Sequence, residues 1–322
     1  MKLIAQRGVA QQFERKGVTE NSCTATRIEK PAHDFVENTV TSLQQATRLG
    51  ANMVLVDVTA TADGRLVLFR DWSLDCRTDG KGPVAKLPLS DVQMLDAGYG
   101  YTADGGRSFP LRYNQTARIP TVEEAVAGLP STPILFSLKG RTAADGALLV
   151  KALKAAGRDP AKRGDGFTAP DEAALAPLRQ AFPGAWSFSP QSARECASRY
   201  KLMGWFTLVP EACKNGAIFV PLDGQWAYPG WPDRMLDRMA KANVRIILTA
   251  PRGEGEGQAG LDLPEQIAQV PFSYTGYVWV DDIWTMGPAF QPAANRRGPE
   301  AEFTLQSNHT ARRKARGLPE PQ

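Results

Sequence analysis

Apolar positions along this chain follow two alternating rhythms. Runs such as Leu3-Ile4-Ala5, Met53-Val54-Leu55-Val56, Leu66-Val67-Leu68-Phe69, Ile134-Leu135-Phe136 and Ile246-Ile247-Leu248 are nearly continuous, as strands buried on both faces are. Between them apolar residues recur at helical spacing. Val40, Leu43, Ala46 and Leu49 are the clearest case, with Asn38 placed to cap the start and Gly50 placed to stop the helix. The pattern predicts nine strands, at 3–6, 53–59, 66–70, 134–139, 166–168, 185–189, 217–222, 244–249 and 277–280. Helices are predicted at 38–49, 89–95, from 120, and at 146–156, 171–181, 192–202, 234–243 and 264–269.

Strands separated by helical crossovers imply a parallel sheet covered on both faces. The architecture this predicts is α/β, a (β/α)8 TIM barrel, with an open doubly wound sheet as the alternative. A closed ring takes eight strands, so one of the nine is short or lies outside it. The turn Thr61-Ala62-Asp63-Gly64 makes the second and third strands close neighbours. Residues 72–119, rich in Gly, Asp and Thr, read as a small insertion after the third strand of a single barrel domain spanning 1–288. Past Pro288 the periodicity fades, and 289–322 is expected to be an extended or disordered tail.

With 43% hydrophobic and 22% charged residues in 322, the chain has the composition of a globular protein with a sizeable core, which excludes disorder for the body. The formal charge of +4 changes the picture little, because residues 296–322 hold six basic residues against three acidic and leave the body near neutral. No basic face suggests nucleic acid, and no apolar run reaches the roughly 18 residues of a membrane span. A monomer is expected. The apolar part of Met1–Gln6 is too short for a signal peptide, so the chain as written reads as cytoplasmic. Cys23, Cys76, Cys196 and Cys213 lack C-x-x-C spacing, which argues against zinc or redox motifs. They either stay as buried thiols or pair as Cys23–Cys76 and Cys196–Cys213, each pair lying in loops that a barrel brings to one end. Pairing would fit a secreted or periplasmic origin with a leader removed.

Short motifs then add chemistry. Ala5-Gln6-Arg7-Gly8, Glu37-Asn38-Thr39, Leu55-Val56-Asp57, Thr61-Ala62-Asp63-Gly64, Arg70-Asp71, Thr78-Asp79-Gly80, Ile119-Pro120-Thr121 and Ser137-Leu138-Lys139 occur in this order. In order and spacing the chain resembles the glycerophosphodiester phosphodiesterase family over about residues 3–285. The resemblance implies a (β/α)8 barrel and metal-assisted phosphodiester hydrolysis. In that chemistry carboxylates hold a divalent cation, two histidines act as nucleophile or base and as acid, and Arg and Lys neutralise the phosphate.

The chain departs from that pattern where the chemistry sits. Gln6 and Arg70 stand in the places of the two histidines, and Leu55 and Ser137 in the places of two glutamates. Gln6 cannot titrate and Arg70 stays protonated, so neither moves a proton. Asp57 remains, with Glu37 as a second donor for a weakly held divalent metal; the main expectation is no cofactor. His33 reads as a loop side chain, and His309 lies in the tail. Asp57 and Lys139 are the candidate catalytic residues, against the plainer reading of a buried salt bridge. Gln6, Arg7, Glu37, Leu55, Arg70, Ser137 and Trp279 are the candidate substrate-binding residues, with Arg7, Arg70 and Lys139 forming a cationic mouth for phosphate, sulfate or carboxylate. Trp186, Trp226, Tyr228, Trp231 and Trp284 could join Trp279 in walling a pocket or could equally be core. Gly253-Glu254-Gly255-Glu256-Gly257 reads as a barrel-mouth loop and not a phosphate loop, because its acids repel phosphate.

Changed strand ends in an intact frame imply a replaced function. The expectation is a dismantled phosphodiesterase, a natural pseudoenzyme or a redesigned active site, holding a small molecule at the C-terminal barrel mouth. The alternatives are a residual metal-dependent hydrolase and a non-catalytic binding or scaffold protein.

Overall fold

The nine expected strands form, and eight of them run parallel in one sheet. A computed structural model describes residues 1–19, 22–252 and 259–319. The strands are β1 (Lys2–Gln6), β2 (Ala51–Ala60), β3 (Leu66–Leu68), β4 (Ile134–Leu138), β5 (Gly166–Thr168), β6 (Trp186–Phe188), β7 (Ala217–Pro221), β8 (Arg245–Thr249) and β9 (Tyr277–Val280). Their order is β6-β5-β4-β2-β1-β9-β8-β7, and β3 stands off this path, antiparallel to β2 with Val58 opposite Leu68. The two ends of the path approach each other where Ser187 N donates to Asn215 O at 2.8 Å, so the ring is a nearly closed barrel.

The continuous apolar runs follow from two faces buried at once. One face of the strands turns Ile4, Met53, Leu55, Leu135, Trp186, Phe188, Phe219, Ile247 and Trp279 into the barrel. The other packs Val54, Val56, Phe136, Ile218 and Val278 against the surrounding helices. Gly166 is required by the interior, since a Cβ there would lie 2.3 Å from the Trp186 indole. The outer layer holds α1 (Val40–Arg48), α3 (Val122–Gly128), α4 (Ala143–Ala155), α5 (Pro160–Arg163), α6 (Glu172–Ala181), α7 (Pro190–Met203), α8 (Asp233–Lys241) and α9 (Ile283–Phe290), while α2 (Leu89–Val92) lies in the insertion. The insertion has a small core of its own around Leu74, Val84, Val92, Tyr101 and Leu111. A Cys23–Cys76 disulfide ties it to the β1–α1 loop, and a Cys196–Cys213 disulfide ties α7 to the segment before β7, so both expected pairings form.

Three local readings change. Thr39, not Asn38, caps α1, accepting from Ser42 N, and Gly50 follows the helix at φ 97° as expected of a stop residue. Residues 264–269 form a 3-10 helix. The tail expected to be extended is helical over α10 (Pro299–Ala315), which packs on the body through Thr304, Asn308 and Arg312. Arg312 reaches Glu29 and Asp282 at 2.8 Å each, and Arg316 reaches Asp262 at 2.6 Å. The glycine-rich segment 253–257 lies outside the described residues.

Candidate functional site

Alternation along β2 puts Met53, Leu55 and Asp57 on the interior face, and the parallel register sets Leu55 beside Gln6 and Asp57 beside Ser137. Lys139, one residue past β4, is anchored by its amide to Val58 O. Its Nζ stands 2.7 Å from Asp57 Oδ1. Asn38 donates to the other carboxylate oxygen at 3.2 Å, while its own Oδ1 accepts from Asp57 N at 3.0 Å. Asn38 sits at φ 59°, a left-handed conformation that asparagine tolerates better than most residues. It is therefore a latch on Asp57. Burial alone would raise the Asp57 carboxyl, but the Lys139 and Arg7 charges and the two side-chain hydrogen bonds outweigh it and hold the group down at about 2.

The strand-to-loop turn after β1 places the second charged group. Arg7 has φ 62° and Gly8 φ 78°, and a Cβ on Gly8 would meet Ser42 Oγ at 2.4 Å, so the close approach of this turn to α1 needs glycine. Glu37 lies 3.6 Å from Arg7 and 2.9 Å from Arg77. Arg77 also binds Asp71 and Thr24, each at 2.8 Å, and its Nη1 donates to the Tyr101 hydroxyl oxygen at 2.7 Å. Arg70 donates to Asp71 at 3.2 Å and to Thr24 Oγ1 at 3.3 Å. Burial and the neighbouring Arg7 and Arg77 charges lower its affinity for its proton. Four cations, Arg7, Arg70, Arg77 and Lys139, thus face three carboxylates, Asp57, Glu37 and Asp71. Arg7 Nε is buried with no hydrogen-bond partner among the described residues.

Two hollows open at the mouth among the described residues. One, about 10 Å³, is lined by Glu37, Asn38, Arg70, Arg77 and Tyr101 and has room for about one water. The other, about 280 Å³, opens at the ends of β7 and β8 between Phe219, Pro221, Thr249, Tyr228, Lys201 and Arg252. Lys201 Nζ stands 4.9 Å from the centre of the Tyr228 ring, and Arg252 pairs with Asp223 at 3.0 Å.

The residues present do not fit a hard divalent cation. Asp57 and Glu37 are each engaged by cations, Leu55 offers no donor, and among the described residues no three His, Cys, Asp or Glu side chains gather to hold a metal. Neither histidine stands in for those the family pattern would need. His33 is half-buried against Trp284 and Phe35 with Gln11 on Nδ1, and desolvation lowers it to about 4; His309 lies on α10 beside Glu265.

The expected residues therefore separate. Asp57, Lys139, Arg7 and Glu37 form one charged group through Asn38 and Arg77, with Arg70 at its edge. Gln6 and Ser137 are half-buried strand-end neighbours of it, while Leu55 and Trp279 belong to the apolar layer beneath. Of the aromatics, Trp186 stacks on Phe188, Trp231 and Trp284 pack at a tilt against Tyr274 and His33, Tyr228 lines the larger hollow, and Trp226 is exposed. Sequence reasoning missed Arg77. Its only signal was its place beside Cys76, which pins the insertion onto the mouth.

Comparison with known proteins agrees with the fold. Residues 30–145 match the family model described as the Glycerophosphoryl diester phosphodiesterase family. An uncharacterized Mycobacterium tuberculosis protein is 37% identical over 103 residues, 32% of this chain and 34% of that protein. Human glycerophosphodiester phosphodiesterase 1 is 32% identical over 133 residues, 37% of this chain and 38% of that protein. The match thus spans a little over a third of these relatives' length. Among solved structures, the glycerophosphoryl diester phosphodiesterase domain of the M. tuberculosis protein superposes with a TM-score of 0.60 at 17% identity, covering 88% of this chain and 97% of that one. An Agrobacterium tumefaciens glycerophosphodiester phosphodiesterase gives 0.57 at 19% identity, covering 89% and 98%. Residues 30–145 are thus similar in sequence to the glycerophosphoryl diester phosphodiesterase family, and the barrel as a whole is similar in fold to the solved structures.

Proposed function

We propose that this barrel is a pseudoenzyme of the phosphodiesterase type, its catalytic set dismantled and its mouth repurposed to bind a small oxyanion such as a phosphate monoester. The observation that carries the reading is the commitment of both carboxylates. Asp57 is held by Lys139 and Asn38, and Glu37 by Arg77 and Arg7, while Arg7 Nε is left buried without a partner. Carboxylates engaged in this way are poor metal ligands, and a carboxyl at about 2 is a weak base at neutral pH. Gln6 and Arg70 supply no proton carrier in place of two histidines. An oxyanion, by contrast, would take charge-assisted hydrogen bonds from Arg70 and, by widening the one-water hollow beside Arg70 and Arg77, reach the buried Arg7 Nε.

Asp57 and Lys139 then have a positioning role, fixing the floor beneath the anion. The protein works as a monomer without a cofactor, and its two disulfides fit an oxidising compartment. Among the described residues no helix is long and apolar enough to cross a membrane.

Calorimetric titration with glycerol 3-phosphate and inorganic phosphate tests the reading. Saturable binding that Arg7→Ala weakens by at least about tenfold is expected for the loss of a charge-assisted contact. Absence of binding to both would sink it. The combined reversion Gln6→His, Leu55→Glu, Arg70→His and Ser137→Glu should create chelator-sensitive hydrolysis of glycerophosphodiesters if these positions are the displaced catalytic set.

A further inference from the structure

Outside the mouth, the densest exposed apolar surface is a single turn. Leu202, Trp205, Phe206 and Leu208 are 74%, 75%, 76% and 53% exposed. They lie at the end of α7 and in the 3-10 helix Gly204–Phe206, on a segment closed by the Cys196–Cys213 disulfide. The backbone beneath them is firmly held. Arg238 donates to Gly204 O at 2.8 Å, the buried Tyr200 hydroxyl donates to Pro229 O at 3.0 Å, and Thr207 turns the chain at φ 62°. A segment braced underneath yet presenting two aromatic rings and two leucines to solvent is built to be covered.

Charge and size narrow down what covers it. Residues 194–214 carry Arg194, Arg199, Lys201 and Lys214 against Glu195 and Glu211. Arg199 and Lys214 are paired with those acids at 2.6 Å each, so Arg194 and Lys201 stand as the net positive charge of the segment. Four side chains on one turn fall short of the roughly 1,000 Å² that a stable protein interface buries. Interfacial attachment to a bilayer asks for less: a few Trp, Phe and Leu side chains beside basic residues.

We propose that the 202–208 turn is a membrane-interface anchor that seats Trp205 and Phe206 at the headgroup level of a bilayer, the net positive charge of the segment favouring anionic lipid. The aromatic turn does not depend on the oxyanion reading, although Arg194 and Lys201 also line the larger hollow at the mouth, where Lys201 stands over Tyr228. The rings would enter the interface as a rigid wedge, with no segment needing to fold on contact.

Sedimentation of the full chain with phosphatidylcholine vesicles, and with vesicles containing phosphatidylglycerol, tests this. Partition onto the anionic vesicles is expected, with Trp205→Ser/Phe206→Ser lowering it by about tenfold or more. Arg194→Gln/Lys201→Gln should lower it by about fivefold per charge at low salt and leave the neutral-vesicle signal unchanged. Melting curves of both variants, whose positions lie on the surface, confirm that the fold is intact. Failure of the folded wild type to sediment with the anionic vesicles overturns the proposal. So does equal partition by the Trp205→Ser/Phe206→Ser variant, or a self-association at micromolar concentration that this variant abolishes, which would assign the turn to a second copy.

Discussion

Two buried charge clusters in this protein look alike in composition and differ in balance. At the barrel mouth Arg7, Arg70, Arg77 and Lys139 meet Asp57, Glu37 and Asp71, an excess of cations with Arg7 Nε unpartnered among the described residues. Under α10, Arg15, Arg312 and Arg316 meet Glu29, Asp262, Asp281 and Asp282, an excess of carboxylates. The second cluster joins distant parts of the chain. Residues around 15 and 29, the segment before β9, the end of β9 and the terminal helix all meet there, so its charges fasten structure. The first draws on the strand-end loops of β1, β2, β3 and β4, where barrels carry activity, and its surplus is cationic. Each cluster leaves one buried polar atom without a partner among the described residues, Arg7 Nε at the mouth and Asp281 Oδ1 under α10. Sign and place therefore separate them: the fastener joins chain segments with acceptors to spare, and the mouth offers spare donors at strand ends.

The comparison can be broken by substitution. Arg312→Ala should be the most damaging change, because it strands Glu29 and Asp282 and frees α10. A stability loss of about 3–5 kcal/mol is expected in denaturant titration, with faster proteolysis within 299–319. If Arg312→Ala costs no more than a change at the mouth, the division into fastener and site fails.

Asp57→Asn comes next, at about 2 kcal/mol, since Lys139 is one-third exposed and recovers some hydration. Its pH signature is sharper. The native Asp57 carboxyl sits near 2, below its ordinary value of 3.8, so its contribution is full above about pH 4 and is lost as pH falls toward 2. The Asn variant should lack that acid-limb loss. Asp281 supplies the opposite sign: burial raises its carboxyl, so its ionisation opposes folding and that penalty fades as the group protonates in acid.

Arg70→Ala should change stability by less than about 1 kcal/mol, because Arg77 retains both Thr24 and Asp71, yet weaken oxyanion binding by about tenfold. Asp281→Asn should be the smallest effect, within about 1 kcal/mol, since it removes one charge from the side in excess. A large loss there would mean that the α10 cluster needs all four carboxylates.

The sequence carried the barrel because each strand is buried on two faces and each crossover helix on one, which leaves a periodic trace in apolar residues. It did not carry α10. That helix docks through Thr304, Asn308 and Arg312, polar side chains that leave no hydrophobic period to read. Asn38 was misplaced for a related reason: a side chain suited to cap a helix is equally suited to a left-handed turn, and the nearby Asp57 carboxylate claimed it. The pairing of Asp57 with Lys139 was legible as the plainer of two readings. Arg77 was not, because its position depends on an insertion folding back through the Cys23–Cys76 link.

The most direct measurement is hydrolysis of glycerophosphocholine by the wild-type chain across a titration of magnesium, calcium or manganese, run beside calorimetric binding of glycerol 3-phosphate. Binding without chelator-sensitive turnover is the expected result. Turnover that saturates with metal and disappears on chelation would show that Asp57 and Glu37 release their cations to hold an ion, and that the mouth is still a phosphodiesterase.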